Sequence, residues 1–179
     1  MGAEISLLLE MFNMRTISTM APDEIHHYDE FIDGYARMMH SQRGVPLVGG
    51  RIFAYLLVCE PTEQTAAQIS AAVTASLGTV SSMTRLLLSA RLIERETRRG
   101  ERSAVYLISP GAMSTITRAT IEAARSAREM TDRGLALMAD RPPTARARLQ
   151  DLRDVYLIFE KSIAALLENW EKDRTETNA

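Results

Sequence analysis

Apolar residues recur at alternating spacings of three and four residues in two separate segments of the chain. A repeat that averages 3.5 residues places a continuous apolar seam along one side of a helix, as in a coiled coil. The spacing therefore predicts long helices over 22–42 and 144–172. The seam positions are Ile25, Tyr28, Ile32, Tyr35 and Met39 in the first helix and Leu149, Leu152, Tyr156, Phe159, Ile163, Leu166 and Trp170 in the second.

A looser repeat over 111–140 predicts a third long helix, with small residues that permit another helix to approach closely. Pro142 and Pro143 end this helix. Three amphipathic helices cannot bury all their seams within one chain, so the pattern favours a two-fold homodimer built by 22–42, 111–140 and 144–172. We expect its interface to include the seam positions above, from Ile25 to Tyr35 and from Leu149 to Trp170.

The segment between these helices has shorter periods. Helical patterns over 65–73 and 79–87 are followed by two predicted strands, 92–97 and 103–108. Helix, turn, helix and hairpin in this order predict a winged helix-turn-helix, which places its second helix in the DNA major groove. Residues 50–60 are apolar nearly all round, which predicts a buried helix that Pro61 ends.

The predicted fold class is therefore mainly α with a small β-hairpin wing. The predicted organisation is an N-terminal arm and first dimerisation helix at 1–43, a winged helix-turn-helix DNA-binding domain at 44–109, and C-terminal dimerisation helices at 110–179. A two-fold dimer would present two winged domains to a palindromic operator in double-stranded DNA, about one helical turn apart.

The spacing also divides the recognition helix into two faces. Ser76 is a plausible N-cap, and Val80, Thr84 and Leu87 are expected to face the core. A cluster of arginines surrounds the predicted turn at Gly100, where guanidinium groups suit phosphates or a narrow minor groove. The predicted DNA-binding residues are Ser76, Leu77, Thr79, Ser81, Ser82, Arg85, Arg98, Arg99 and Arg102. The alternative is that these are only solvated surface residues.

Charge distribution supports the DNA interpretation more than total charge does. The chain of 179 residues has a net charge of −2, but 45–109 carries seven arginines against five glutamates, a local charge of +2. A basic module in an acidic carrier is compatible with DNA binding. We find no nucleophile–base pair, phosphate loop or paired carboxylates, and so predict that the protein is not an enzyme.

Four short motifs within 22–109 belong to a recognisable signature. They are Gly44-Val45-Pro46 followed by Gly50-Arg51-Ile52, Ser76-Leu77-Gly78-Thr79-Val80-Ser81, Leu92-Ile93-Glu94-Arg95, and Gly100-Glu101-Arg102. Together they resemble the GbsR-like branch of the MarR family. That resemblance implies a bacterial homodimeric transcription regulator, often a repressor released by a small-molecule effector or by oxidation. Arg91 departs from the family, which more often has glycine between the recognition helix and the strand.

Several other residues could have either a purely structural role or a functional one. Cys59 is the single cysteine, so an internal disulfide is impossible, and this composition suits a reducing cytoplasm. Cys59 is either a redox sensor or a buried, unreactive thiol. His26 and His27 with Asp23, Asp29 and His40 suggest a metal site. However, adjacent helical residues point about 100° apart, so only one of the two adjacent histidines could contribute to a given face. Tyr28, Tyr35, Tyr55, Tyr156 and Trp170 could cage a cationic effector, although most lie on apolar seams.

The leading hypothesis is a cytoplasmic, sequence-specific transcriptional regulator, with a winged-helix module for protein–protein interaction as the alternative. We predict no metal and no organic cofactor, because no cluster has the ligand spacing of a closed site. No apolar run approaches the ~20 residues of a membrane span, so we predict no membrane partner. Residues 1–20 carry no pattern that assigns them a role.

Overall fold

A computed structural model describes residues 25–97 and 103–177, except for the side chains of 25–27 and of 177. The predicted N-terminal arm and wing tip, with Arg98, Arg99, Gly100 and Arg102, lie outside the described residues, as does the side chain of Ile25. The described elements are α1 (Ile25–Arg43), α2 (Leu47–Val58), β1 (Gln64–Thr65), α3 (Ala66–Ala72), α4 (Leu77–Ser89), β2 (Ile93–Glu96), β3 (Val105–Ile108), α5 (Ala112–Leu137) and α6 (Pro143–Thr177). The mainly α fold with a small antiparallel sheet confirms the predicted winged helix-turn-helix class.

The core of the winged module forms around α2. This helix buries residues on several sides, including Ile52, Phe53 and Leu56, as its nearly uniform apolar sequence predicted. Ile69 of α3 and Leu87 of α4 join the same cluster. Each of these large side chains stabilises the fold by about 1.5–3 kcal/mol relative to an exposed position.

A three-stranded sheet in the order β1-β3-β2 closes one side of the module. β2 and β3 pair antiparallel with Ile93 opposite Ile108, as expected for a hairpin. β1 contains only two residues, which pair with β3. Two residues are too few to show an alternation of apolar and polar positions, so the sequence pattern does not predict this strand. The buried Gln64 of β1 accepts a hydrogen bond from the Tyr55 hydroxyl at 2.9 Å, so its polar group is satisfied.

Helix α1 packs closely on α2 within the same chain. A side chain at Gly50 would bring its Cβ within 2.8 Å of the Ala36 Cα, so only glycine permits this approach. Arg51 Nε lies 2.9 Å from Asp33 Oδ1 and adds an ion pair between the two helices. The seam residue Tyr35 stacks on Phe53 of α2, with ring centroids 6.0 Å apart. The seam of α1, predicted as dimer interface, is therefore partly occupied within one chain.

Helices α5 and α6 form an antiparallel hairpin with charged groups along its length. Arg125 Nε and Arg128 Nε approach the two carboxylate oxygens of Glu160 at 3.0 and 2.8 Å. Further towards the ends, Arg118 pairs with Glu171 at 2.8 Å, and Arg153 pairs with Asp132 at 3.0 Å. These pairs favour one register, because a shift of one helix would separate opposite charges at several places at once.

The predicted α6 seam is only partly buried within the chain. Ile163 is buried, on the side of α6 where Glu160 and Glu171 reach α5. Leu152, Leu166 and Trp170 are exposed instead. Four further large apolar residues of the hairpin, outside the predicted seam, are also exposed; they are Met130, Leu137, Val155 and Ile158. We call these seven exposed residues the hairpin apolar surface.

The end of α4 has the geometry of a Schellman motif, with a non-glycine residue in the left-handed conformation. Arg91 has φ of 57°. Its amide donates to Leu88 O and that of Leu92 to Leu87 O, both at 3.0 Å, which is the paired pattern of this cap. The position at which the resembled family more often has glycine is thus one where a side chain is strained.

Arg91→Gly should raise the free energy of unfolding by up to about 1 kcal/mol, because glycine removes the left-handed strain while adding some freedom to the unfolded chain. Ala90→Gly is the matched control: Ala90 has φ of −80°, so glycine there should be destabilising. Urea denaturation measures both. A less stable Arg91→Gly variant would contradict this account of the turn.

Glu160→Gln should weaken the α5–α6 hairpin and change how its stability depends on pH. Hydrogen bonds from Arg128 and Arg125 lower the pKa of Glu160 below its ordinary 4.5. A lowered carboxyl pKa contributes stability that is present above the ordinary value and is lost as pH falls through the folded-state value. Thermal unfolding between about pH 6 and pH 3 should therefore be less steeply pH-dependent in the variant.

Glu168→Gln is the control for this comparison, because Glu168 pairs with Lys172 on the solvent side of α6 alone. An exposed pair within one helix contributes little, so this variant should unfold like the unmodified chain. Equal effects of the two substitutions would show that the cross-hairpin pairs have no special weight.

Candidate nucleic-acid interface

The N-terminus of α4 begins at a side-chain cap. Ser76 has an extended backbone, and its Oγ accepts a hydrogen bond from the Thr79 amide at 3.1 Å. This is the N-cap geometry expected for a serine before a helix. The predicted N-cap is confirmed, and the first turn of α4 has a defined start.

The inner face of α4 is the one that the spacing predicted. Val80, Thr84 and Leu87 are buried. The Thr84 hydroxyl donates to Val80 O at 2.8 Å, so the buried polar group is satisfied within the helix. These contacts prevent α4 from rotating and leave a defined outer face.

The predicted DNA-binding side chains of α4 lie on or beside this outer face. Leu77, Ser81, Ser82 and Arg85 are exposed, and Thr79 is half-buried. Arg85 lies along the helix, with Nε donating to Ser81 O at 3.3 Å and Nη2 to Ser82 Oγ at 3.5 Å. Arg85 is the single charged residue within α4. The guanidinium therefore defines the charge of this face.

Helix α3 supports α4 from the side. Thr65 and Gln68 form a capping box: the Gln68 amide donates to Thr65 Oγ1 at 3.3 Å, and the Thr65 amide donates to Gln68 Oε1 at 2.8 Å. The Ala75 amide then donates to Ser70 O at 3.1 Å across the turn. Helix, turn and helix are thus connected by local hydrogen bonds as well as by the shared core.

One basic residue near α4 is not among the DNA-binding residues predicted from the sequence. Arg95 of β2 is exposed and lines a shallow groove between the starts of α3 and α4 and strand β3. Thr65, Leu77 and Tyr106 also line this groove. Successive residues of a strand point to opposite faces, so Arg95 lies on the other face of β2 from Glu94 and Glu96. This alternation is the sequence signal that could have identified Arg95. The base of the wing therefore places a cation beside α4.

Cys59 does not have the properties of a reactive thiol. It is only 8% exposed, and burial raises its pKa to about 11. The thiolate is the form that reacts with oxidants, and this environment disfavours it near neutral pH. The structure therefore favours the interpretation of Cys59 as a buried core residue.

Two of the other candidate residues are also engaged in the fold, whereas Asp23 and the side chains of His26 and His27 lie outside the described residues. His40 Nδ1 lies 3.0 Å from Val45 O. Tyr35 packs between Phe31 and Phe53, with ring centroids 5.6 and 6.0 Å apart. Within 25–97 and 103–177, no three His, Cys, Asp or Glu residues gather as a metal site would require. No helix in the part of the chain that the structure describes is long and apolar enough to cross a membrane.

Comparisons with known proteins converge on one family. Residues 111–173 match the family model of MmpR5-like MarR family transcriptional regulators, a range that covers nearly the whole α5–α6 hairpin. The HTH-type transcriptional regulator MmpR5 of Mycobacterium tuberculosis is 28% identical over 152 residues, which are 85% of this chain and 90% of that protein.

A solved structure described as a transcriptional regulator superposes with a TM-score of 0.61 and 28% identity. It covers 82% of this chain and 99% of its own. The proteins that this chain resembles are thus regulators and not enzymes, in agreement with the absence of a catalytic motif from its sequence. The GbsR-like branch is not distinguished by these comparisons and stays a prediction.

Proposed function

We propose that this chain is a MarR-like helix-turn-helix transcriptional regulator and acts as a homodimeric repressor that binds a palindromic operator. The observation that carries the proposal is the arrangement of α4. Its inner face is buried, its N-terminus is capped by Ser76, and its outer face is open along the whole helix. A helix held in this way is able to enter a major groove without distortion of the domain beneath it.

Two kinds of contact would hold the DNA. Arg85 of α4 has the fork of donors that bonds guanine O6 and N7, and the neighbouring hydroxyls of Thr79, Ser81 and Ser82 suit phosphates and base edges. Arg98, Arg99 and Arg102, in the sequence-predicted wing, would meet phosphates or the minor groove. Arg95 at the described base of the wing adds to the same basic surface.

The hairpin apolar surface supports the dimer. Ile158 is 63% exposed, and in the sequence of α6 it lies between Leu152 and Leu166, which are also exposed. A run of large apolar side chains along a long helix is typical of a surface that a second protein covers. If two hairpins are related by a two-fold axis, the hairpin apolar surface of each copy is covered by that of the other. The dimerisation helices of 1–43 and 110–179 and the DNA-binding domain of 44–109 keep their proposed roles.

The signal that releases the operator is proposed to be a small molecule. Cys59 is buried and its pKa is raised, which argues against oxidation of this residue as the trigger. Arg43 connects the two parts of the molecule, since its Nη2 donates to Thr120 Oγ1 of α5 at 3.0 Å from the end of α1. A ligand that displaced α5 would therefore act on the winged module through this contact.

Arg85→Ala and Arg99→Ala should weaken DNA binding in different ways. Arg85→Ala should cost about 1–3 kcal/mol per half-site on the operator and little on random DNA, because a bidentate contact reads one base pair. Arg99→Ala should weaken binding to every sequence and lower the log–log salt slope by about 0.9 per lost phosphate contact.

Fluorescence anisotropy measures both, with a duplex that the protein selects from a random-sequence pool and with a scrambled duplex at several salt concentrations. If neither variant changes affinity, α4 and the wing are not the DNA surface. Failure of the protein to select any duplex would favour the alternative of a protein–protein interaction module.

The double variant Val155→Glu/Ile158→Glu should convert the dimer into a folded monomer, because both side chains are exposed within one chain and only a partner would bury them. Ile163→Glu is the contrasting variant: Ile163 is buried within the chain, so this substitution should destabilise the hairpin itself. Light scattering and circular dichroism distinguish the two outcomes. A monomeric unmodified chain would contradict the proposed dimer.

A further inference from the structure

The outer face of α4 offers few free hydrogen-bond donors for reading bases. Arg85 is its single charged residue, and α4 contains no Asn or Gln. Two of its exposed hydroxyls already donate within the helix: Ser82 to Gly78 O at 3.1 Å and Ser89 to Leu86 O at 2.7 Å. Arg85 and the hydroxyls of Thr79 and Ser81 are therefore the main hydrogen-bonding groups that α4 offers to bases.

An apolar side chain is exposed at the end of α4 that would enter the groove first. Leu77, the first residue of α4, is 57% exposed, the largest fraction among the large apolar residues described within 44–109. In helix-turn-helix proteins the N-terminal residues of the recognition helix contact base edges. Among base edges in the major groove, the 5-methyl group of thymine is the one that an aliphatic side chain contacts favourably.

Gly78 is a glycine that the fold itself does not require. A Cβ added there would meet only Ser76 Oγ, at 3.8 Å, and its φ lies outside the left-handed region. Glycine in place of alanine weakens a helix, so its presence at an exposed helical position has a cost within the domain. At Gly50, by contrast, the Ala36 backbone explains the glycine. A glycine with empty space around it suits the close approach of something outside the chain.

We propose that Leu77 and Gly78 are specificity-determining residues that read a thymine in each half-site. Leu77 packs its side chain against the thymine 5-methyl group. Gly78 provides the clearance that brings the start of α4 close enough to the base edges for this contact. The inference rests on the proposed function and adds to it the chemical group that is recognised.

The test uses the duplex that the full-length protein selects from a random-sequence pool, with each thymine replaced in turn by uracil. This replacement removes the 5-methyl group and leaves the hydrogen-bonding edges unchanged. For the unmodified protein, uracil at this position in one half-site should lower affinity about fourfold, the equivalent of one buried methyl group, and uracil in both half-sites should lower it about fifteenfold.

Leu77→Ala should bind the thymine duplex more weakly than the unmodified protein and should lose sensitivity to uracil at that position. Leu86→Ala is the matched control, since Leu86 is an exposed leucine near the other end of α4 and should leave the uracil sensitivity intact. Gly78→Ala should melt at an equal or higher temperature, yet bind the selected duplex at least about tenfold more weakly. Ser89→Ala, near the C-terminal end of α4, should bind the selected duplex as tightly as the unmodified protein.

Each other outcome overturns a specific statement. If the selected duplex binds but no uracil changes its affinity, or if Leu77→Ala keeps the sensitivity of the unmodified protein, Leu77 does not read a thymine. If Gly78→Ala binds as tightly as the unmodified protein, glycine is not needed for clearance. If no duplex is selected, the proposed function fails, and this inference fails with it.

Discussion

Burial of one side of α4 against the core around α2 is the contact on which the rest of the molecule depends. Val80, Thr84 and Leu87 lie in this core, and their burial determines which residues face outwards. The Ser76 cap defines where the helix starts, and the strained turn at Arg91 defines where it ends. Loss of the inner contacts would allow α4 to rotate, and the same side chains would then no longer form one surface.

The hairpin of α5 and α6 meets a different constraint. Its intrachain contact combines buried Ile163 and Leu167 with ion pairs between the two helices. Apolar burial is nondirectional, whereas the charges of Arg125, Arg128 and Glu160 are favourable in one alignment only. The packing thus provides stability and the ion pairs provide register. Large apolar side chains of the hairpin, such as Val155 and Ile158, remain exposed, which is why we expect a partner there.

The winged module and the hairpin are connected rather than independent. Ala112 at the start of α5 is buried in the core of the winged module. Arg43 reaches from α1 to Thr120 of α5. A change in the position of α5 therefore acts on the module from two directions, and the distance between two α4 helices in a dimer would change with it. In the proposed regulator, this connection would provide a physical route from an effector to the operator without chemistry at Cys59.

Periodicity along the chain was enough to identify the helices, the hairpin and the order that defines the winged fold. It also identified the inner face of α4, because i, i+4 and i+7 share one side of a helix in any context. The Ser76 cap was equally local, since the side chain bonds an amide three residues away. These features depend on neighbours in sequence, and a single sequence contains them.

The partners of the apolar seams depended on the folded chain. A 3.5-residue repeat indicates that a helix packs against another helix, but not against which one. The packing of α1 on α2 takes up the Tyr35 ring, which stacks on Phe53. On α6, Ile163 is buried while Leu152 and Trp170 of the same seam remain exposed. The two-residue strand β1 and the place of Arg95 beside α4 likewise come from contacts between distant segments. Such contacts depend on three-dimensional distances, which no local pattern of residues records.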